Sequence, residues 1–349
     1  TLHLWRNNGD GTFADVSDES LISGIIIEAE FDYTFSPTFA DVDDDGDLDL
    51  LVAADAGTSQ VLINQGDGGG GLFTFEYATD RNVINDENGM GSSVADFDND
   101  GDLDWFVTAI SLGDEPDSRP TPDDNAGFDL GGNRLYRNEG NGIFSDQTDT
   151  AGVRKGYWGW GSCAADFNND GFLDIFHVNG MDEPGTNAYL DDPSRLFINN
   201  GDGSFTEYSE PLGINDRKMG RGVVCFDGDQ DGDIDIIIAN NNDSATLYRN
   251  DGGNQFNYLN VELQGDAPNT QALGARVYLS VDGSTQLREI HNGNNFVSQN
   301  PAEQHFGLDQ SPSADSLRVV WPDGTETSRS NINVNQRVTV SYPDTWSTD

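Results

Sequence analysis

The stretch DVDDDGDLD at 41–49 decides the fold, because it recurs. Its spacing of acids around a glycine returns as DFDNDGDLD at 96–104, DFNNDGFLD at 166–174 and DGDQDGDID at 227–235, at intervals of 55, 70 and 61 residues. Each copy runs into a short apolar segment: LDLLVAA (48–54), LDWFVTA (103–109), LDIFHV (173–178) and IDIIIAN (234–240). These are too short for helices and rich in the aliphatic and aromatic residues of buried strands. Gly-x-Gly precedes three loops, at Gly89/Gly91, Gly159/Gly161 and Gly220/Gly222, as suits crowded strands whose backbones approach closely. A hairpin of the form L-x-x-N-x-G alternates with the loops: LWRNNG from Leu4, LINQG from Leu62 (VLINQG), LYRNEG from Leu135, LFINNG from Leu196 and LYRNDG from Leu247. One unit is thus four strands: a glycine strand, the acidic loop, an apolar strand, a long connection and a closing hairpin. Units of this kind predict the blades of an all-β propeller over 1–256. The chain opens directly on a hairpin, giving four full units and a leading half. The expectation is a ring of about five blades whose first is completed by C-terminal strands; the alternative is sequence missing upstream.

Carboxylates at positions 1, 3, 5 and 9 of one turn repel one another by roughly 1–4 kcal/mol per close pair. A divalent cation reverses that sign. Calcium takes six to eight hard oxygens, tolerates a sharp turn at glycine, and accepts a backbone carbonyl at position 7. The expected ligands are Asp41, Asp43, Asp45, Asp47 and Asp49; Asp96, Asp98, Asp100, Asp102 and Asp104; Asp166, Asn168, Asp170, Phe172 and Asp174; and Asp227, Asp229, Asp231, Asp233 and Asp235. Phe172 at position 7 makes sense only if that position gives its main chain. Position 12 holds Val52, Val107, His177 and Ile238, and the flanks are strands, so these are not EF-hands. About four Ca²⁺ ions are expected, with Mg²⁺ disfavoured by its reluctance to dehydrate. The third loop, with Asn168 for a carboxylate, is expected to hold its ion most weakly.

Composition narrows the function. Lys+Arg total 17 against 62 Asp+Glu, a net charge of −45 over 349 residues. Nucleic acid and anionic membrane are poor partners for such a surface. Nineteen of the acids lie in the four loops. No apolar run approaches the length of a membrane span, and no leader segment is present, so the chain reads as cytosolic or already processed.

The D-x-D-x-D-G-x-x-D loops between strands resemble FG-GAP/VCBS repeats, the units of integrin α-subunit propellers. In the tail, GARVYLSV (274–281), LREIHNGNNFVSQN (287–300), EQHFGL (303–308) and LRVVWPDG (317–324) resemble the ASPIC/UnbV domain. The arrangement is similar to the cartilage acidic protein family and its bacterial relatives. The resemblance implies a secreted calcium-binding propeller followed by a small β domain, 257–349. That tail reads as a β-sandwich on its own residues: Asp282-Gly283 and Pro322-Asp323-Gly324 are turns, and RVTVSY (337–342) alternates as a strand. With no acidic loop of its own, it is expected to melt independently of calcium.

No catalytic signature is found, neither G-x-S-x-G, H-E-x-x-H nor a phosphate-cradling loop. His177, His291 and His305 read as packing or hydrogen-bonding residues. Cys163 and Cys225 lie three and two residues before their loops, pointing to opposite strand faces, which argues against a disulfide between them. The candidate recognition face is opposite the acidic loops. It carries the connections 111–133 and 180–194 and the aromatic group Tyr157, Trp158 and Trp160. The reading is a non-enzymatic extracellular adhesion or recognition module with a protein or glycan ligand. Its rivals are a polysaccharide-acting enzyme on a calcium-stabilised propeller and a structural subunit of a surface assembly.

Overall fold

A computed structural model describes residues 2–24, 33–66, 72–86, 88–111, 131–182, 189–293 and 295–348. The long connections fall largely on 112–130 and 183–188, outside the described residues. The protein is nearly all β. A leading hairpin pairs β1 (Trp5–Asn7) with β2 (Phe13–Asp15). The first blade is β3 (Thr34–Ala40), β4 (Asp49–Ala54), β5 (Gln60–Asn64) and β6 (Phe75–Tyr77). The second is β7 (Ser92–Ala95), β8 (Asp104–Val107), β9 (Arg134–Asn138) and β10 (Phe144–Asp146). The third is β11 (Gly159–Ala165), β12 (Asp174–Asn179), β13 (Arg195–Asn199) and β14 (Phe205–Glu207). The fourth has three strands, β15 (Gly220–Phe226), β16 (Asp235–Asn240) and β17 (Thr246–Tyr248). Its closing strand is lost because the chain is drawn into the tail: Asn257 N–H donates to Asp309 O, and its own carbonyl accepts from Leu308 N–H, both at 2.7 Å.

The apolar strands β4, β8 and β12 are buried at every residue, since both faces of each blade are covered. Leu51 and Ala53 pack with Trp105 and Val107 between the first and second blades. Phe106 meets Ile175 and Phe197 between the second and third, and Phe176 and Val178 meet Val223, Ile236 and Ile238 between the third and fourth. The glycine strands line the inside and touch through Thr38 Oγ1–Ser92 Oγ at 2.9 Å and Ser93 Oγ–Ser162 Oγ at 2.8 Å. Here glycine is a steric requirement: a Cβ at Gly91 would lie 2.1 Å from the Trp160 carbonyl oxygen, and one at Gly161 2.5 Å from that of Arg221. Gly91→Ala is expected to cost about 3 kcal/mol or more, because backbone rather than a flexible side chain blocks the methyl. Urea unfolding of the variant checks this; a loss below about 1 kcal/mol would mean the strands are not so closely seated.

Cys163 and Cys225 form a disulfide, with Cα atoms 6.4 Å apart, contrary to the expectation from their offsets. Blades stack face to face, so side chains pointing to opposite faces of their own sheets meet in the interface between β11 and β15.

The tail is a two-sheet sandwich. One sheet has the order β21 (Gln304–Gly307), β18 (Tyr258–Gln264), β24 (Gln336–Ser341), β25 (Thr345–Thr348), and the other β20 (Ser284–Glu289), β19 (Arg276–Val281), β22 (Ser313–Val320), β23 (Glu326–Asn333). Leu259, Val261, Val277, Leu279, Phe306 and Leu317 are in its core. Asp282 and Gly283, both at positive φ, make the turn between β19 and β20. Among the described residues the tail strands pair with one another and none completes the leading hairpin, so the five-bladed closure through C-terminal strands is not observed there. The hairpin instead lays Leu2 and Leu4, with Ile22, against Leu50 and Val52 of the first blade.

Candidate metal centre

The four acidic loops share one backbone design. Position 4 is left-handed at Asp44, Asn99, Asn169 and Gln230, and the glycine at position 6 has φ of 93–99°. That double reversal turns the carboxylates inward. The position-1 carboxylate accepts the glycine N–H: Gly46 to Asp41 (3.0 Å), Gly101 to Asp96 (3.2 Å), Gly171 to Asp166 (2.7 Å) and Gly232 to Asp227 (3.1 Å). Position 5 accepts the N–H of position 7 at 2.9–3.0 Å in every loop.

Position 9 has a second duty that sequence reading missed. Asp49, Asp104, Asp174 and Asp235 each take one N–H from position 2 of their own loop and one from the hairpin asparagine, Asn64, Asn138, Asn199 or Asn250. Three of those asparagines then reach across to the preceding loop. Asn138 Nδ2 donates to Val42 O (2.7 Å), Asn199 Nδ2 to Phe97 O (2.7 Å) and Asn250 Nδ2 to Phe167 O (2.8 Å). The recurring Asn of L-x-x-N-x-G is therefore a blade-to-blade staple. The repeat itself carried that signal.

Carboxylate oxygens of Asp41, Asp43 and Asp45, of Asp96, Asp98 and Asp104, and of Asp227, Asp229 and Asp231 lie within 4.8 Å of one another. Burial pushes Asp41 up to about 6 and Asp49, Asp96 and Asp166 to about 7; it also raises Asp104 and Asp174 strongly. Asp41 Oδ1 and Asp98 Oδ1 are buried without a hydrogen-bond partner. Orphaned carboxylate oxygens turned toward other carboxylates suit a hard divalent cation, and the donor set is all oxygen. In the third loop Asn168 binds Asp170 twice, through Nδ2 to Oδ2 (2.9 Å) and Oδ1 from N–H (3.1 Å).

The tail is seated on these loops. Asn260 Nδ2 donates to Asp227 Oδ2 (3.2 Å), and the buried Arg288 guanidinium opposes the rise in both Asp96 and Asp166. A Cβ at Gly307 would sit 2.1 Å from Asp166 Oδ2. His305 bridges Asn260 and Asn169 through its two ring nitrogens. Residues 295–300 run along β15: Asn295 Nδ2 donates to Val223 O (2.7 Å), Ser298 Oγ accepts Val223 N–H (3.0 Å), and Asn300 Oδ1 accepts Cys225 N–H (3.0 Å). These contacts oppose the expectation that the tail melts by itself.

At the opposite end of the inner strands, Trp160 is 8 % exposed, its Nε1–H held by Gly180 O at 3.0 Å and Arg221 stacked over its ring. It is an inter-blade residue. Trp158, half-buried, stacks on it with centroids 6.4 Å apart, and Arg195 covers the ring of Tyr157. Phe35 and Phe296 close on Trp160 at 6.2 and 5.2 Å, leaving Phe35 37 % and Val297 73 % exposed. His177 is fully buried against Phe197 with its Nε2 at Asn133 Nδ2 (3.2 Å), and burial pushes its pKa down to about 3, as suits a packing residue.

Comparison with known proteins follows the same division. An FG-GAP-like repeat family model matches residues 1–52, 41–107 and 123–177, and the ASPIC and UnbV model matches 265–346. Cartilage acidic protein 1 of Mus musculus is 28 % identical over 275 residues, 61 % of this chain and 42 % of that protein. The Homo sapiens protein of that name is 27 % identical over 275 residues, 61 % of this chain and 41 % of its own. The Xenopus tropicalis one is 32 % identical over 199 residues, 52 % and 28 % respectively. The chain thus spans about two fifths or less of the length of these relatives. Among the described residues no helix is long and apolar enough to cross a membrane. The chain carries FG-GAP-like repeats followed by an ASPIC and UnbV domain, and over 61 % of its length it is similar to cartilage acidic protein 1.

Proposed function

We propose that this chain is a secreted, non-enzymatic recognition or adhesion module, built as a calcium-stabilised propeller of residues 1–256 carrying the domain 257–349. In this reading about four Ca²⁺ ions sit in the acidic loops, one each, and act as cross-links that hold neighbouring carboxylates together. The Cys163–Cys225 disulfide fits an oxidising, extracellular compartment, and the name of the relatives fits a matrix setting. The observation that carries recognition is the apolar rim of Tyr33, Phe35, Val297 and half-buried Trp158 on the face away from the loops. Exposed aromatics grouped in this way mark binding surfaces for proteins and sugars.

Screening the calcium-loaded chain against arrays of glycans and matrix proteins tests this. Trp158→Ala and Val297→Asp are expected to weaken the selected ligand at least tenfold while the melting temperature of Val297→Asp stays put. Retention of binding by both variants would place recognition elsewhere.

A further inference from the structure

The four loops differ in what the tail sets against position 1. At the fourth loop it is the neutral amide of Asn260, 3.2 Å from Asp227 Oδ2. At the first loop it is a guanidinium. Arg276, at the start of β19, places Nη2 3.3 Å from Asp41 Oδ2 and donates from the same nitrogen to Asp41 O. Its Nη1 is paired with Asp44, and its Nε donates to Glu289 Oε2 at 3.1 Å. Glu289 is fully buried and in turn accepts Asp41 N–H and binds His291 Nε2 at 2.9 Å. The other loops meet arginines too, but none of these pairs with position 1: half-buried Arg137 binds Asp98 and Asp100 at positions 3 and 5, exposed Arg249 lies near Asp229, and buried Arg288, which acts on Asp96 and Asp166, donates instead to Leu287 O and Gln286 Oε1. Arg276 is buried and held by four acceptors, so it stays when a metal arrives.

We propose that Arg276 is a resident cation of the first acidic loop and makes that loop the weakest calcium site of the four. A dication drawn to the orphaned Asp41 Oδ1 meets a fixed positive charge on the other oxygen of the same carboxylate. In a partly buried site such a pair repels far more than in water. Glu289, on the Nε of the same guanidinium edge, offsets part of that charge, while its oxygens are also taken by Asp41 N–H and His291 Nε2. The sequence expectation, that the third loop is weakest because of Asn168, gives way: Asn168 costs one charge in an otherwise intact oxygen set, whereas Arg276 adds an opposing one. The C-terminal domain would thereby set the calcium threshold of the first blade.

The inference rests on the calcium reading above, and the test separates the two. Hydrogen exchange of the wild-type chain is followed peptide by peptide during a calcium titration. Protection of 41–49 is expected to need at least tenfold more calcium than that of 96–104, 166–174 and 227–235. If no loop gains protection, the calcium reading fails; if three or four loops respond and 41–49 fills first or together with the others, this proposal fails. Arg276→Gln should remove the lag, whereas Arg276→Lys, which keeps the charge, should retain it. A lysine variant without the lag would show that the fork of contacts, not the charge, was responsible.

Discussion

Stripping metal from the protein at pH 8 is expected to lower its melting temperature by more than about 10 °C, with propeller and tail falling together in one transition. The size follows from linkage. Each site adds RT ln(1 + [Ca²⁺]/Kd), about 2.7 kcal/mol at a hundredfold excess, so several sites rival the 5–15 kcal/mol of an ordinary domain. The single transition follows from the seating of the tail. Arg276, Arg288, Asn260 and Gly307 all lie against position 1 of a loop, so a loop that springs open takes its tail contacts with it. Calorimetry with and without calcium decides the point. A tail transition that stays in place in the stripped protein would restore independent melting, and a curve indifferent to metal would leave the loops as plain acidic turns.

The stripped and the loaded protein should also respond to pH in opposite senses. Burial holds Asp41 near 6 and Asp49, Asp96 and Asp166 near 7, against an ordinary value of 3.8. These folded-state values are raised, so without metal the groups favour the fold below about pH 4, and that contribution is lost as pH rises through 6–7. A tenfold gain in proton affinity is worth about 1.4 kcal/mol, so the stripped protein should be more stable at pH 5 than at pH 8 by several kcal/mol. Calcium needs the same oxygens deprotonated, so the loaded protein should show the opposite slope over that window. Melting curves of gel-filtered, metal-free protein at the two pH values check the sign. Equal stability at both would mean the carboxylates are already ionised without cost.

The blades were legible because a repeat tests its own reading. Asp at position 9, Gly at position 6 and the hairpin Asn recur in every full unit, and each turned out to be fixed by the same hydrogen bond in every blade. What a repeat does not carry is how its units meet anything else. Arg276 and Arg288 read as ordinary strand residues of the tail, and their role exists only once the tail is docked on loops more than a hundred residues away. The same limit applies to Trp160. A cluster of aromatics announces a hydrophobic contact, but only the approach of Phe35 and Phe296 from distant segments shows that Trp160 is spent inside. The missing outer strand of the fourth blade is a third case, since residues competent to close it are claimed by Asp309 and Leu308 instead.

Cys163→Ser is expected to lose about 4 kcal/mol, and the double variant with Cys225→Ser no more than that. The bridge spans 62 residues and closes the third and fourth blades at their innermost strands. Cross-linking a loop of that length removes about 4 kcal/mol of chain entropy from the unfolded state. Both sulfurs are buried beside Phe176, Val223 and Ile236, so replacing one also sets a hydroxyl and a small void into that interface, while the partner thiol remains an adequate apolar filler. The loss should therefore be largest for the first replacement and nearly flat for the second, because the cross-link can be broken only once. Urea unfolding in calcium, with and without a thiol reductant, supplies the check. Wild type under reductant should fall to the level of the variants, and reductant should leave the variants unmoved. A single variant within about 0.5 kcal/mol of wild type would mean that packing between Phe176 and Ile236 already holds these two blades, with the sulfur bridge adding nothing to what the cores supply.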